Sequence, residues 1–142
     1  MADLTVEEAL RLGVRAHKSA RYEEAERYYR AILHSSSMHA DANHNMGVLS
    51  LTFGKIEEAI IFFRKALEAN PSVPQFWLST VNALFKIDRL VEARNLLVEA
   101  SANGISGSAF DKLNDMIETR IKDKTGFDTL PMGVSYAAHS NE

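Results

Sequence analysis

The chain has 142 residues and no cysteine, which excludes disulfides, thiolate metal sites and cysteine nucleophiles. Its 46% hydrophobic and 25% charged residues are those of an ordinary globular protein, and a net charge of −3 gives no overall drive toward nucleic acid or anionic membrane. The acidic N-terminus has no basic segment leading into an apolar one, and no apolar run is long enough to span a bilayer, so the expected location is the cytoplasm.

Thr5 and Glu8 fit a capping box, in which the hydroxyl accepts from a backbone N–H three residues on and the glutamate reaches back. Ala9, Leu12, Gly13 and Ala16 follow at three- and four-residue steps, one face of a helix. Arg21-Tyr22 turns the chain, and Tyr22, Ala25, Tyr28, Tyr29, Ile32 and Leu33 form the next stripe. Ser35-Ser36-Ser37 is a short polar break, too brief for a linker between domains. Residues 40–73 carry two more apolar runs, joined at Phe53-Gly54-Lys55 and closed by Asn70-Pro71, where proline ends a helix. Residues 74–107 continue with Trp77, Leu84, Leu90, Ala93, Leu97 and Ala100. Ser108 with Asp111 opens a last helix with the stripe Phe110, Leu113, Ile117 and Ile121, Met116 lying beside it. It should end near Lys124-Thr125-Gly126, where Lys122 and Lys124 suit the helix dipole. Residues 127–142 show no helical period; they read as a poorly ordered end, with a segment lying back on the solenoid or the beginning of a further region as alternatives.

A spacing of 34 superposes these segments. Gly13 falls on Gly47, Ala25 on Ala59, Tyr29 on Phe63, and Glu23-Glu24 on Glu57-Glu58. Within 40–73, Gly47, Gly54, Ala59, Ala66 and Pro71 occupy positions 8, 15, 20, 27 and 32 of the unit. The pattern resembles the tetratricopeptide repeat, a 34-residue helix–turn–helix with small residues where its helices cross. The expected fold is all-α, a right-handed α-solenoid of three antiparallel helix–turn–helix repeats plus a C-terminal capping helix. The expected boundaries are repeats at 6–39, 40–73 and 74–107 and a cap at 108–124, within a domain covering 1–126. The third unit departs from the pattern at Val81, Asp88 and Ile105, and Val81 at the crossing is expected to hold its two helices slightly apart.

The resemblance implies a non-catalytic module that holds a protein or peptide in a concave groove lined by the first helix of each unit. Carried over position by position, the groove takes Glu7, Leu10, Arg11, Val14, His17 and Lys18 from the first repeat. The second gives Asp41, His44, Asn45, Val48, Leu51 and Thr52, and the third Gln75, Leu78, Ser79, Asn82, Phe85 and Lys86. Six of these are apolar, several are basic, and the acids are Glu7 and Asp41, so an acidic-hydrophobic ligand is expected. Asn45 and Asn82 can each offer a peptide backbone both a donor and an acceptor. The plainer reading of the same residues is packing against the next repeat or the tail. The clamp by which related co-chaperones grip the C-terminal carboxylate of heat-shock chaperones is not expected. Its positions hold Leu10, Val14, Asn45, Gln75 and Ser79, and the cations it needs are missing. Two other readings stand beside the groove: an N-terminal array of a larger enzyme such as a transferase, and self-assembly through solenoid ends.

Other chemistry finds no support. His34, His39 and His44 recur at five-residue steps and share no helix face, so no metal is expected. There is no phosphate loop and no Gly-x-Ser-x-Gly elbow, so no cofactor is expected. Glu23-Glu24 and Glu57-Glu58 read as helix N-terminal charges, and Tyr28-Tyr29 and Phe62-Phe63 as core. Arg120, Lys122 and Lys124 are too few for a nucleic-acid footprint.

Overall fold

The computed structural model describes residues 3–125; the segment 127–142 lies outside them. Among the described residues there are seven helices and no strand: α1 (Val6–Lys18), α2 (Tyr22–Ser35), α3 (Ala40–Thr52), α4 (Ile56–Ala69), α5 (Pro74–Lys86), α6 (Leu90–Ala102) and α7 (Ser108–Thr125). Local chemistry sets their starts. Thr5 Oγ1 accepts from the Glu8 N–H at 3.0 Å while Glu8 Oε1 accepts from the Thr5 N–H at 2.9 Å, the full capping box. His39 caps α3, its Nδ1 accepting from the Ala42 N–H at 3.1 Å. Pro74 begins α5, where a missing N–H removes no helical bond.

The three turns inside repeats are closed alike. Arg21 N–H donates to Ala16 O at 2.8 Å, Lys55 N–H to Ser50 O at 2.9 Å and Arg89 N–H to Leu84 O at 3.0 Å. Each turn needs one residue of left-handed backbone at position 15: Ala20 (φ 61°), Gly54 (φ 76°) and Asp88 (φ 60°). Asp88 therefore keeps the conformation of the glycine it replaces, as a short polar side chain can.

Packing inside each repeat explains the small residues. A Cβ on Gly13 would sit 2.7 Å from Cε1 of Tyr29, and one on Gly47 would meet the Phe63 ring even more closely. The third repeat has Val81 at this crossing, and at the position of those rings it has Leu97; both are buried. The valine is thus accompanied by a smaller partner, which frees the volume it needs.

Successive helices pack on one another along the chain, and α7 covers the last repeat with Phe110, Leu113 and Ile117. At the two junctions between repeats, a side chain of the following helix bonds the loop before it. Trp77 Nε1 donates to Pro71 O at 2.8 Å. Thirty-four residues earlier Asn43, which is 1% exposed, does the same work: its Nδ2 donates to Ser37 O and His39 O, both at 3.0 Å. Its Oδ1 is buried without a hydrogen bond. The result is an all-α solenoid of helix–turn–helix repeats. No described helix is long and apolar enough to cross a membrane.

Candidate functional site

The first helices of the units, α1, α3 and α5, run parallel, because each is antiparallel to the helix between. Equivalent positions therefore line up in rows across them. Position 2 gives Glu7, Asp41 and Gln75 near the helix N-termini, and position 13 gives Lys18, Thr52 and Lys86 near the C-termini; all six are exposed. The face thus has an acidic lip and a basic lip. Acids at helix starts and lysines at helix ends also answer the helix dipoles, so part of this polarity serves the scaffold.

Between the lips, Arg11 and Asn82 are exposed, while Leu10, Val14, His17, His44, Asn45, Val48, Leu51, Leu78, Ser79 and Phe85 are half-buried. The apolar members are not spare side chains. Leu10 and Val14 pack on the core of the first two repeats, and Val48, Leu51, Leu78 and Phe85 on the core of the later ones. Each gives one flank to the interior and one to the surface.

The two histidines are held by the scaffold. His17 Nδ1 lies 3.2 Å from the Tyr29 hydroxyl, and its ring meets Tyr22 edge-on at 5.9 Å. His44 Nε2 lies 2.7 Å from Ser79 Oγ, and its ring leans on Phe63 and Phe76 at 5.2 and 5.1 Å. Gln75 Nε2 donates to the same Ser79 hydroxyl at 3.0 Å, so His44, Ser79 and Gln75 form one chain of polar contacts across α3 and α5. Burial pushes both imidazoles below the ordinary histidine value; for His44 it outweighs the opposing pull of Asn45 and Asp41. Burial also pushes the Tyr29 phenol up to about 12. Among the described residues no group of three His, Asp or Glu side chains could hold a metal.

The face extends further than the three repeats. Ser108, the first residue of α7, stands 34 residues after Pro74, so α7 takes the place of a fourth first-helix. Its Met116, Thr119 and Arg120 join Phe85, Asp115 and Asp123 around a shallow cavity of about 320 Å3. Arg120 lies over the Phe85 ring at 4.4 Å and pairs with Asp88 at 2.8 Å; Lys124 reaches the other Asp88 oxygen at 3.2 Å. Lys124 and then Arg120 hold the Asp88 carboxyl below the ordinary carboxylate range. The sequence treats α7 as a cap, and Met116, Thr119 and Arg120 are absent from the expected groove. Continuing the 34-residue count by one unit would have found them. At the other end, Leu4, Val6, Ala9, Tyr28 and Ile32 line a cavity of about 260 Å3 on the open face of the first unit.

Comparison with known proteins agrees with this architecture. Residues 10–74 match the family model described as tetratricopeptide repeat. The regulatory protein RapD of Bacillus subtilis (strain 168) is 34% identical over 101 residues, which cover 62% of this chain. The chain spans only 28% of that relative's length. The tetratricopeptide domain of Sgt2 from Aspergillus fumigatus superposes with a TM-score of 0.73 at 16% identity, covering 95% of this chain and 93% of that one. The type III secretion chaperone SycD of Yersinia enterocolitica, in complex with a peptide of the translocator YopD, gives 0.69 at 20% identity, covering 87% and 97%. Residues 10–74 thus carry the tetratricopeptide repeat pattern, and the helices around them share the fold of tetratricopeptide repeat domains.

Proposed function

We propose that this chain is a non-catalytic protein-binding module or scaffold of the cytoplasm, and that its ligand is an extended acidic-hydrophobic peptide segment held against α1, α3, α5 and α7. The observation that carries this reading is the basic lip, Lys18 and Lys86, exposed beside a strip of half-exposed apolar side chains, Val48, Leu51 and Phe85. An extended chain presents alternate side chains to such a strip while its carboxylates meet the lysines. SycD was solved with a peptide bound, and its shared fold supports the choice of a peptide. The heat-shock carboxylate clamp remains disfavoured. Ser79, at one of its cationic positions, is a hydroxyl already engaged by His44 and Gln75.

The test is selection of ligands from a random displayed peptide library on the full chain. Enrichment of acidic-apolar sequences is expected. Lys18→Glu with Lys86→Glu, two exposed changes that spare the core, should weaken the selected peptide at least tenfold, about 1.4 kcal/mol. Unchanged affinity in the double variant would remove this face as the site.

A further inference from the structure

Arg120, in the cavity between α5 and α7, differs from the lysines of the basic lip. Its guanidinium is anchored on two sides, over the Phe85 ring at 4.4 Å and against Asp88 at 2.8 Å. Lys124 holds the other oxygen of Asp88 at 3.2 Å, which steadies that carboxylate. Anchored so, the arginine still keeps 42% of its side chain exposed and lines the cavity. A guanidinium set in place before a ligand arrives gives up little rotamer freedom on binding.

The other walls select one kind of side chain. Phe85 offers part of its ring and Met116, 42% exposed, its thioether. Guanidinium and thioether both favour an aromatic neighbour, the first through the negative face of the ring, the second through its polarisability. An aliphatic side chain would fill the same space but gain nothing from the cation. Asp115 and Asp123, four residues before and after Thr119 and so on the same face of α7, are exposed and line the cavity too. They repel a ligand carboxylate, so the acids suited to Lys18 and Lys86 find no place here.

We propose that this cavity is the anchor subsite of the groove and takes an aromatic side chain of the ligand, laid against Arg120 and Met116. This rests on the peptide groove proposed above and sets the order of the ligand's residues. Phe85 of the cavity and Lys86 of the lip are adjacent on α5. In an extended ligand, at roughly 3.3 Å per residue, the aromatic residue and the acid that meets Lys86 therefore lie within about three residues of each other. Neighbouring helices are about 10 Å apart, so an acid that meets Lys18, two first-helices away, falls about six residues further on. The aromatic residue stands at one end of the acidic stretch, not between the acids.

The experiment uses the full chain and peptides selected on it from the random library. These should carry an aromatic residue at one end of the acidic stretch. The best peptide and its aromatic-to-alanine form are titrated by fluorescence anisotropy against wild type, Met116→Ala, and Arg120→Lys with Met116→Ala. The lysine keeps a cation opposite Asp88 and Met116 is exposed, so the fold is spared; circular dichroism checks it. Alanine in the peptide should cost wild type at least about tenfold and the double variant less than about threefold, with Met116→Ala between them, the coupling expected of groups in contact. An equal loss on all three proteins overturns the subsite, as do selected peptides with no aromatic residue or with one only between the acids. In each of these cases the groove itself stands if Lys18→Glu with Lys86→Glu still weakens the peptide. Failure to enrich any peptide removes groove and subsite together.

Discussion

Asn43 shows how much a single buried polar residue carries here. Its amide ties two carbonyls at the junction of the first and second repeats, the work that Trp77 does at the next. Asn43→Ala would take the side-chain donor from Ser37 O, leave His39 O with only the backbone N–H of residue 43, and leave a void. The loss should be about 1–3 kcal/mol, read from chemical denaturation. A loss under a few tenths would mean that water takes over both bonds. The role was not visible from the sequence, where position 4 holds Ala9, Asn43 and Trp77, three residues with nothing obvious in common. What unites the last two is a donor reaching a carbonyl that only the folded turn places. His44 is similar. Its place on the groove face followed from repeat counting, but its bond to Ser79 and its contact with two rings depend on how α3, α4 and α5 meet.

Between helices, the pairing of glycine with a ring is the governing constraint. Gly47→Ala brings a methyl into the Phe63 ring and should destabilise by about 1–3 kcal/mol. Phe63→Leu added to it should recover a good part of that loss, since the third repeat holds leucine at the same place. A double-mutant cycle measures the coupling, and simple additivity would show that the backbone, not the ring, absorbs the methyl. This level was the most legible in advance. The helices, their turns and the crossing glycines all follow from a period that repeats in the sequence. The fate of Phe85 was less so, because the guanidinium lying over it comes from Arg120, and that depends on how α7 turns about its own axis.

At the scale of the molecule, stability should depend on pH through the buried imidazoles. His17 and His44 titrate below the ordinary 6.5 in the fold, so below that value the unfolded chain takes up protons the fold resists. Their contribution is fully present above about pH 6.5 and diminishes as pH falls toward their folded values. The thermal midpoint should therefore drop between pH 7.5 and 5.5, and His17→Gln with His44→Gln should flatten that slope. An unaltered slope in the double variant would assign it to other groups. Asp88 acts in a lower range. Its folded value lies below the ordinary 3.8, so the tie to α7 is complete above that and is lost as pH falls through the folded value.

The open face of the first unit, with its cavity lined by Leu4, Val6, Ala9, Tyr28 and Ile32, has a consequence in time. Each helix packs chiefly on those one or two places along the chain, so contacts are local and the array should fold quickly. The same locality lets the stack open from an edge. The larger core runs from α4 to α7 and is covered at its end by Phe110, Leu113 and Ile117, whereas among the described residues α1 has neighbours on one side alone. Native-state hydrogen exchange should accordingly be slowest for amides of α4 and α5 and fastest, among helices, for α1. Uniform protection would mark a single all-or-none unit; the graded order means that unravelling has a direction, from the first repeat inward.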